Sequence, residues 1–446
     1  MQGSVFGSLI CTAVMDKLAK IFYKDESLLY KYKGEVEVPV LGMVDDVLCV
    51  AKCSNSSVTT TSTINSFMEL NKLKLAAKKC AKIYIGKKDI ECPVTRVHGE
   101  VLRSSTAEKY LGDVISENGS LDETIKHRKL RGYSYISEIR ALLTDMPFGH
   151  RRVEVGIMLR NAMFVNGVLC NSEAWHAISK KHIEELEVMD RFLLRYITGA
   201  YAKTQNKFLY LETGVFNIEK IISNQRMMYF QTIVKRDESE ITRKIYDCQK
   251  NNPVKGDWIE LLQKDFADLG MEMDDEFVRN ETKLQFKSRV KKHIEMHMFS
   301  ELKKQQEGHS KISHICYKQL KIHEYLKSHM FNNHEAFLLF SLRSRNSKLF
   351  KANFSYNLNQ VCPMNGCEEL DQQEHLLECD KNYPLESRTQ DISYSDIFSY
   401  DITKQLAATK LFSSLLERRE VASANTTGPQ CCPGLPGECG DHCNQL

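Results

Sequence analysis

The chain has 446 residues, of which 42% are hydrophobic and 27% are charged, and its formal net charge at pH 7 is only +3. This composition is typical of a globular protein with a sizeable core and, on length, about two to four domains. The small net charge by itself predicts no polyanionic partner. No stretch stays apolar and uncharged for about 18 residues, and the apolar opening has no basic segment before it, so we expect neither a membrane span nor secretion.

Most of the fifteen cysteines are isolated within apolar segments, where a free thiol behaves as a small hydrophobic group. This usage is typical of a reducing compartment. It predicts an intracellular protein of the nucleus or the cytoplasm.

The first 120 residues alternate between helix and strand signals. Apolar residues recur at helical spacing over residues 5–22, and a second pattern of this kind covers residues 60–75. A strand is expected over residues 80–85, and another ends at Tyr110-Leu111-Gly112, before a turn at Asn118-Gly119. The order of these elements predicts an α+β layer.

Between the first two helices lies the segment VPVLGMVDDVLCVA, in which β-formers flank Asp45 and Asp46. The pattern predicts a hairpin with the two acids at its tip. Burying two adjacent carboxylates between apolar half-strands costs several kcal/mol unless cations compensate. Because Mg²⁺ prefers carboxylate and phosphate oxygens, the pair indicates a magnesium site, with an ordinary polar turn as the alternative.

After about residue 121 the strand signals fade and helical periodicity dominates. The predicted helices cover residues 125–146, 151–170, 180–198, 217–236, 257–269, 280–306 and 311–329. Basic residues bunch over residues 72–88, 126–131 and 287–292, which could line a phosphate track, although a single run of this kind is more often a solvated helix face. The last 26 residues are rich in Gly, Pro, Ser and Thr and are expected to have no fixed structure.

A second candidate metal site stands near the C-terminus. Cys362, Cys367, His375 and Cys379 have the spacing C-x4-C-x7-H-x3-C. The first pair flanks a Pro/Gly turn that can fold two thiolates onto one ion, and the second pair is four residues apart on one helical face. Four soft ligands suit tetrahedral Zn²⁺ and leave no open position, so the site would be structural; scattered core thiols are the alternative.

Four features come in the order of a reverse transcriptase palm: Gln2-Gly3-Ser4, the acidic hairpin, the segment from Leu75 to Cys80, and Tyr110-Leu111-Gly112. To about residue 385 the chain resembles the C-terminal portion of non-LTR, LINE-like retrotransposon reverse transcriptases, which also carry a Cys/His cluster near their C-terminus. The resemblance implies an α+β fold with a partial palm, then a mostly α-helical thumb and connector region, and a small zinc knuckle.

The resemblance implies the following segments. They are a partial palm (1–120), a helical thumb (121–215), a helical connector region (216–345), the zinc knuckle (346–385), a short helical segment (386–420) and a tail without fixed structure (421–446).

Three positions would serve catalysis in a protein of this family. Asp45 and Asp46 resemble the palm acids, with Asp45 as the direct Mg²⁺ ligand and Asp46 as the weaker contributor. Lys79 resembles a lysine that lies near the triphosphate of the incoming nucleotide. The implied reaction is template-directed nucleotidyl transfer by a two-metal mechanism, with a dNTP as the only small-molecule substrate.

Five further positions would bind nucleic acid. Gln2 and Gly3 resemble the motif that lies against the template and the incoming nucleotide, where glycine lets the backbone approach closely. Tyr110, Leu111 and Gly112 resemble the primer grip. The implied partners are an RNA template and a DNA primer, with no membrane.

The chain departs from the family pattern at two places. Met43 occupies a position that is usually aromatic. The family's two-metal site also needs a third carboxylate upstream of the Gln-Gly motif, where this sequence starts, and neither Asp16 nor Asp113 is placed to replace it. We therefore expect a polymerase fragment that is inactive by itself; the alternatives are a non-catalytic zinc-containing protein that binds RNA or DNA, or a pseudogene remnant.

Overall fold

The computed structural model describes most of the chain, and 59% of the described residues are helical. The described residues are 5–38, 40–85, 94–145, 151–345, 361–384 and 392–426. Gln2 and Gly3 lie outside these ranges, as does the end of the tail from residue 427.

The chain forms two compact units, each assembled from separate segments. The first unit contains Met1–Thr144, Met158–Leu193 and Phe216–Glu301, and the second contains Asp145–Ile157, Leu194–Val215 and Leu302–Leu446. The six-segment division expected from the resemblance stays a prediction.

The described strands are short. They are β1 (Tyr30–Tyr32), β2 (Val36–Val38), β3 (Leu41–Met43), β4 (Asp46–Leu48), β5 (Ala81–Lys82), β6 (Arg96–Val97), β7 (Glu100–Val101), β8 (Arg103–Ser104), β9 (Ala107–Tyr110) and β10 (Asp113–Ser116). They pair as five separate two-stranded sheets, antiparallel except for β5 with β8. The α+β class is confirmed at this level, but the pairs form no larger sheet among the described residues and show no reverse transcriptase palm.

The helices make up most of the fold. They are α1 (Val5–Lys24), α2 (Ser54–Leu70), α3 (Asp122–Asp145), α4 (Arg152–Leu159), α5 (Asn166–Val168), α6 (Lys180–Thr198), α7 (Asn206–Thr213), α8 (Ile218–Val234), α9 (Ile241–Asn251), α10 (Trp258–Asp268), α11 (Asp275–Asn280), α12 (Lys283–Glu307), α13 (Asn333–Arg343), α14 (His375–Glu378) and α15 (Ile402–Thr426). One π-helical segment, Arg160–Val165, lies between α4 and α5.

The long amphipathic helices lie close to where periodicity predicted them, because each must bury one apolar face. In the first unit, α1 buries Leu18 and Phe22 against Phe67 and Met68 of α2. A larger core joins residues from Met227 to Ile294 across α8 to α12. In the second unit, Phe208 and Phe340 pack edge to face with their ring centroids 4.9 Å apart.

Three local predictions were wrong. Helix α2 begins and ends several residues before the predicted 60–75, because its Ser- and Thr-rich first turns carry little apolar periodicity and the backbone leaves the helical region at Lys72, with φ +55°. The helix predicted over 311–329 is an irregular segment with one 3-10 turn, Glu324–Leu326. The tail predicted to be unstructured from residue 421 begins as helix, because α15 continues to Thr426.

Candidate metal centre

Four metal-ligating side chains near the end of the chain converge on one point. The sulfur atoms of Cys362, Cys367 and Cys379 and a ring nitrogen of His375 all lie within 4.8 Å of one another. No other group of three or more Cys, His, Asp or Glu side chains that could hold a metal ion occurs in the part of the chain that the structure describes. The convergence predicted from the spacing is therefore confirmed, and the cluster can hold a metal ion.

Backbone hydrogen bonds fold the first two cysteines towards each other. The Cys362 amide donates to the Glu369 carbonyl at 2.8 Å, which brings the chain back on itself after the turn. Within the turn, the Cys367 amide donates to the Met364 carbonyl at 3.0 Å, and Gly366 has φ +77°, a conformation that glycine adopts without steric cost.

The second pair of ligands sits at either end of the one-turn helix α14. The Cys379 amide donates to the His375 carbonyl at 2.7 Å, which closes a helical turn. Residues four apart on a helix share one face, so both side chains point to the same place.

The distances between ligand atoms fit a tetrahedral ion. Cys379 Sγ lies 4.0 Å from Cys362 Sγ and 3.9 Å from Cys367 Sγ, and Cys367 Sγ lies 3.2 Å from His375 Nε2. Ligands at a Zn–S distance of about 2.3 Å are about 3.8 Å apart in a tetrahedron. The sulfur atoms are too far apart for a disulfide, which needs about 2.05 Å.

The electrostatics of the cluster also favour a bound cation. Cys362 and Cys379 are buried, while Cys367 and His375 are half-buried. Burial raises the pKa of the Cys362 thiol to about 12, and the neighbouring Cys379 and Cys367 add to the shift. These sulfurs therefore need a positive charge between them to be held as thiolates.

The cluster is tied to helix α15 of the same unit by buried polar contacts. Arg419 forms a 2.7 Å ion pair with Asp371, and both side chains are less than one-tenth exposed. The Asn382 amide donates to the Leu415 carbonyl at 3.1 Å. Arg419 and Asn382 also line a small cavity together with the ligands Cys362, His375 and Cys379.

The acidic hairpin is present, but its carboxylates are exposed. Strands β3 and β4 pair with Met43 opposite Asp46, which leaves Val44 and Asp45 as a two-residue turn. The expectation of buried carboxylates was wrong, since Asp45 and Asp46 face solvent at the tip. Val44 has φ +58°, a rare conformation for a β-branched residue.

The described residues provide no third metal ligand at the hairpin. Among the described residues, no His, Cys or acidic side chain completes a group of three with Asp45 and Asp46. Asp16 pairs with Lys20 at 2.6 Å, and Asp113 pairs with Arg128 at 2.6 Å. A magnesium site at Asp45 and Asp46 is therefore unsupported.

The strand ending at Tyr110 forms a second hairpin, β9–β10, with Leu111 and Gly112 as its two-residue turn. Both turn residues have positive φ, and the Leu111 carbonyl accepts a hydrogen bond from Asn171 at 2.9 Å. Burial raises the pKa of Tyr110, and the negative charge of Asp46 adds to the shift. Lys79 ends a 3-10 turn, Ala77–Lys79, and is exposed.

Several residues of the predicted basic runs take part in internal ion pairs. Arg128 is buried and contacts both Asp113 and the Cys170 carbonyl. Lys129 pairs with Glu185 at 3.0 Å, and Arg289 forms a bidentate pair with Glu281. These side chains hold the first unit together and are not a free phosphate track.

A cationic group that the basic runs did not single out, Lys109 of β9 and Arg131 of α3, lies around His127 of α3 on the first unit. Burial lowers the pKa of His127, and the positive charges of Lys109, Arg128 and Arg131 lower it further. Lys109 lies 18 residues before His127 in the sequence, so only the folded arrangement shows that they are close.

Among the described residues of the second unit, one deeply buried carboxylate was not predicted from the sequence. Glu212 on α7 is fully buried and pairs with Arg343 on α13, whose Nη2 lies 2.7 Å from Oε1. The hydroxyl groups of Tyr317 and Tyr325 donate to the same carboxylate at 2.5 and 2.8 Å. These partners come from the segment predicted as a helix, and their convergence explains why that segment follows an irregular path.

No helix among the described residues is long and apolar enough to cross a membrane. Compared with known protein families, with curated proteins and with solved structures, the chain matches none.

Proposed function

We propose that the chain is a zinc-containing, nucleic-acid-binding portion of a LINE-like reverse transcriptase, and that it does not catalyse nucleotidyl transfer by itself. The observation that carries the proposal is the convergence of Cys362, Cys367, His375 and Cys379, at distances suited to tetrahedral zinc. A complete set of four protein ligands makes the ion structural.

The cationic group on the first unit supports nucleic-acid binding. Lys109 and Arg131 are exposed, and no acidic partner of either is found among the described side chains. The Arg131 guanidinium lies 5.5 Å from the ring centroid of Tyr135, and Tyr133 on the same helix is 56% exposed. Exposed cations can bind phosphates and an exposed aromatic ring can stack on a base, which suits a flexible RNA.

The acidic hairpin supports the absence of catalysis. Two-metal nucleotidyl transfer needs carboxylates that hold two ions about 4 Å apart. Asp45 and Asp46 are exposed and have no third ligand among the described residues. They therefore serve as a marker of ancestry in this proposal and not as an active site.

Metal analysis of the purified chain tests the zinc site. Wild-type protein should carry one zinc ion more than Cys367→Ser, because the variant removes one of four ligands. Cys316→Ser, which changes an exposed cysteine outside the cluster, is the matched control and should keep the wild-type zinc content. Equal zinc content in all three proteins would contradict the site.

Salt-dependent binding to a single-stranded RNA tests the cationic group. Lys109→Ala with Arg131→Ala should weaken binding and reduce the magnitude of the slope of log K against log salt by about 1.4, since about two phosphate contacts to a single strand are lost. Lys283→Ala with Lys287→Ala removes two exposed lysines of α12 and should leave the slope unchanged. Equal losses in the two double variants would mean that no defined RNA site exists here.

Primer extension tests the absence of catalysis. With Mg²⁺ or Mn²⁺, an RNA template, a DNA primer and dNTPs, the purified chain should give no extension. Extension that Asp45→Ala abolishes would overturn this part of the proposal.

A further inference from the structure

The surface around the zinc cluster is acidic. The segment from Val361 to Pro384 has one basic residue, Lys381, against six acidic residues, Glu368, Glu369, Asp371, Glu374, Glu378 and Asp380. Of the acids, Glu368, Glu369, Glu378 and Asp380 are exposed. Three thiolates around one Zn²⁺ add a further net charge of about −1. Arg419 pairs with Asp371 and Arg345 pairs with Glu374, so the exposed acids are the ones that disfavour phosphate groups, whose binding depends on cations.

The same segment has little secondary structure of its own. It contains the single bridge between Val361 and Leu370 and the four-residue helix α14. A unit of this size cannot bury enough apolar surface to hold its shape, and metal ligation commonly supplies the missing stability.

Helix α15 depends on this segment for part of its packing. Of its buried residues, Leu415 lies at this segment, whereas Phe412 faces Tyr394, outside it. The Leu415 carbonyl accepts a hydrogen bond from the side-chain amide of Asn382. Asn382 lies three residues after the ligand Cys379. Arg419, one turn further along, is held by Asp371, and Asp371 lies between the ligands Cys367 and His375 in sequence.

We infer that the zinc ion fastens helix α15 to the segment from Val361 to Pro384, and that this segment makes no contact with nucleic acid. The inference rests on the zinc site proposed above. It assigns the two parts of that function to different surfaces: the metal orders the C-terminal helix, and the cationic group of the first unit binds RNA.

Hydrogen exchange measured by mass spectrometry on the full chain tests the fastening. After removal of zinc by a chelator, peptides from α15 should exchange at least about tenfold faster, because their local opening free energy falls. Peptides from α10 serve as the internal control and should be unchanged. Adding zinc alone should restore the protection of α15. If α15 exchanges at the same rate with and without zinc, the inference is overturned.

Two variants guard against general unfolding. Asn382→Ala keeps all four ligands and should keep its zinc, yet α15 should exchange faster around Leu415. Cys316→Ser should match the wild type in zinc content and in exchange. If α15 stays fully protected from hydrogen exchange in Asn382→Ala, the hydrogen bond from Asn382 to Leu415 does not hold the helix and the inference fails.

RNA binding by the zinc-free chain tests the second clause. Its affinity should stay within about twofold of the wild type and its salt slope should be unchanged. A tenfold loss, or a smaller slope, would show that the zinc segment contacts RNA. These results can be told apart from a failure of the proposed function. If the chain binds no zinc, the proposed zinc site is refuted. If the chain binds zinc but hydrogen exchange in α15 does not change when zinc is removed, only the fastening of α15 is refuted.

Discussion

The acidic hairpin and the zinc cluster each bring possible metal ligands together in sequence, but the folded chain treats them differently. At the cluster, residues up to 17 positions apart meet within 4.8 Å, partly buried, with sulfur spacings suited to one ion. At the hairpin, Asp45 and Asp46 are exposed and gain no further ligand among the described residues. The difference teaches that neighbouring carboxylates become a metal site only when the fold desolvates them and adds ligands.

Glu212 is a fully buried carboxylate that needs a partner of opposite charge, and its substitution gives the largest expected loss of stability. Glu212→Gln should destabilise the second unit by about 3–5 kcal/mol, because Arg343 would keep a buried charge without its partner. Chemical denaturation followed through the second unit measures the loss. The control is Glu374→Gln, whose partner Arg345 lies 2.6 Å away with both side chains 32% exposed, and it should cost less than about 1 kcal/mol. Similar costs for the two variants would contradict the role assigned to burial.

Glu187 in the first unit lies between the exposed acids of the hairpin and the fully buried Glu212, because its carboxylate is partly desolvated. Burial raises its pKa from 4.5 to about 7, against the opposing charge of Arg191, which lies 2.8 Å away. Because the folded pKa lies above the unfolded one, the fold favours the protonated acid. Stability from this group is present below pH 4.5 and is lost as the pH rises through about 7.

Glu187→Gln should therefore stabilise the protein at pH 8, by at most about 3 kcal/mol, and should have little effect at pH 4. Thermal unfolding at both pH values measures the difference. Glu184→Gln also removes a partner of Arg191, but its side chain is 62% exposed, so its effect should not depend on pH in this way. A gain from Glu187→Gln that is equal at pH 4 and pH 8 would contradict the pKa shift.

The hairpin turn itself should respond to backbone strain more than to charge. Val44→Gly should stabilise the chain by about 1 kcal/mol, because φ +58° at Val44 costs a β-branched residue about this much. Val47→Gly, on the following strand, is the control and should destabilise, since Val47 packs against the core of α1 and α2. Destabilisation by Val44→Gly would show that the turn is not strained.

The smallest effect is expected at the two acids. Asp45→Asn with Asp46→Asn should change stability by less than about 0.5 kcal/mol, as is usual for exposed sites. Millimolar Mg²⁺ should give the same melting temperature for wild type and variant. If Mg²⁺ stabilises the wild type alone, the carboxylates do bind the ion and the contrast with the zinc cluster disappears.

Several features of the chain were predictable because they depend on local spacing. The hairpin with its acids at the tip, the end of a strand at Tyr110 and most long helices follow from residue periodicity and turn chemistry. Helix α15 was expected only as a short segment, and α7 and α13 were not predicted. The apolar residues of these helices are buried on more than one side, so their sequences show little difference between an apolar and a polar face.

By itself, the sequence determined which residues could bind one metal ion together. The spacing C-x4-C-x7-H-x3-C places each pair of ligands on one turn, and this is predictable because the geometry of a turn depends on only a few neighbouring residues. Only the tertiary structure decided which charges are buried, since burial depends on what packs from distant parts of the chain. Glu212 meets Arg343 across 131 residues and Asp371 meets Arg419 across 48, whereas the side chains of Asp45 and Asp46 are exposed. No local pattern carries that information, because the free energy of a charge depends on its surroundings and not on its neighbours in sequence.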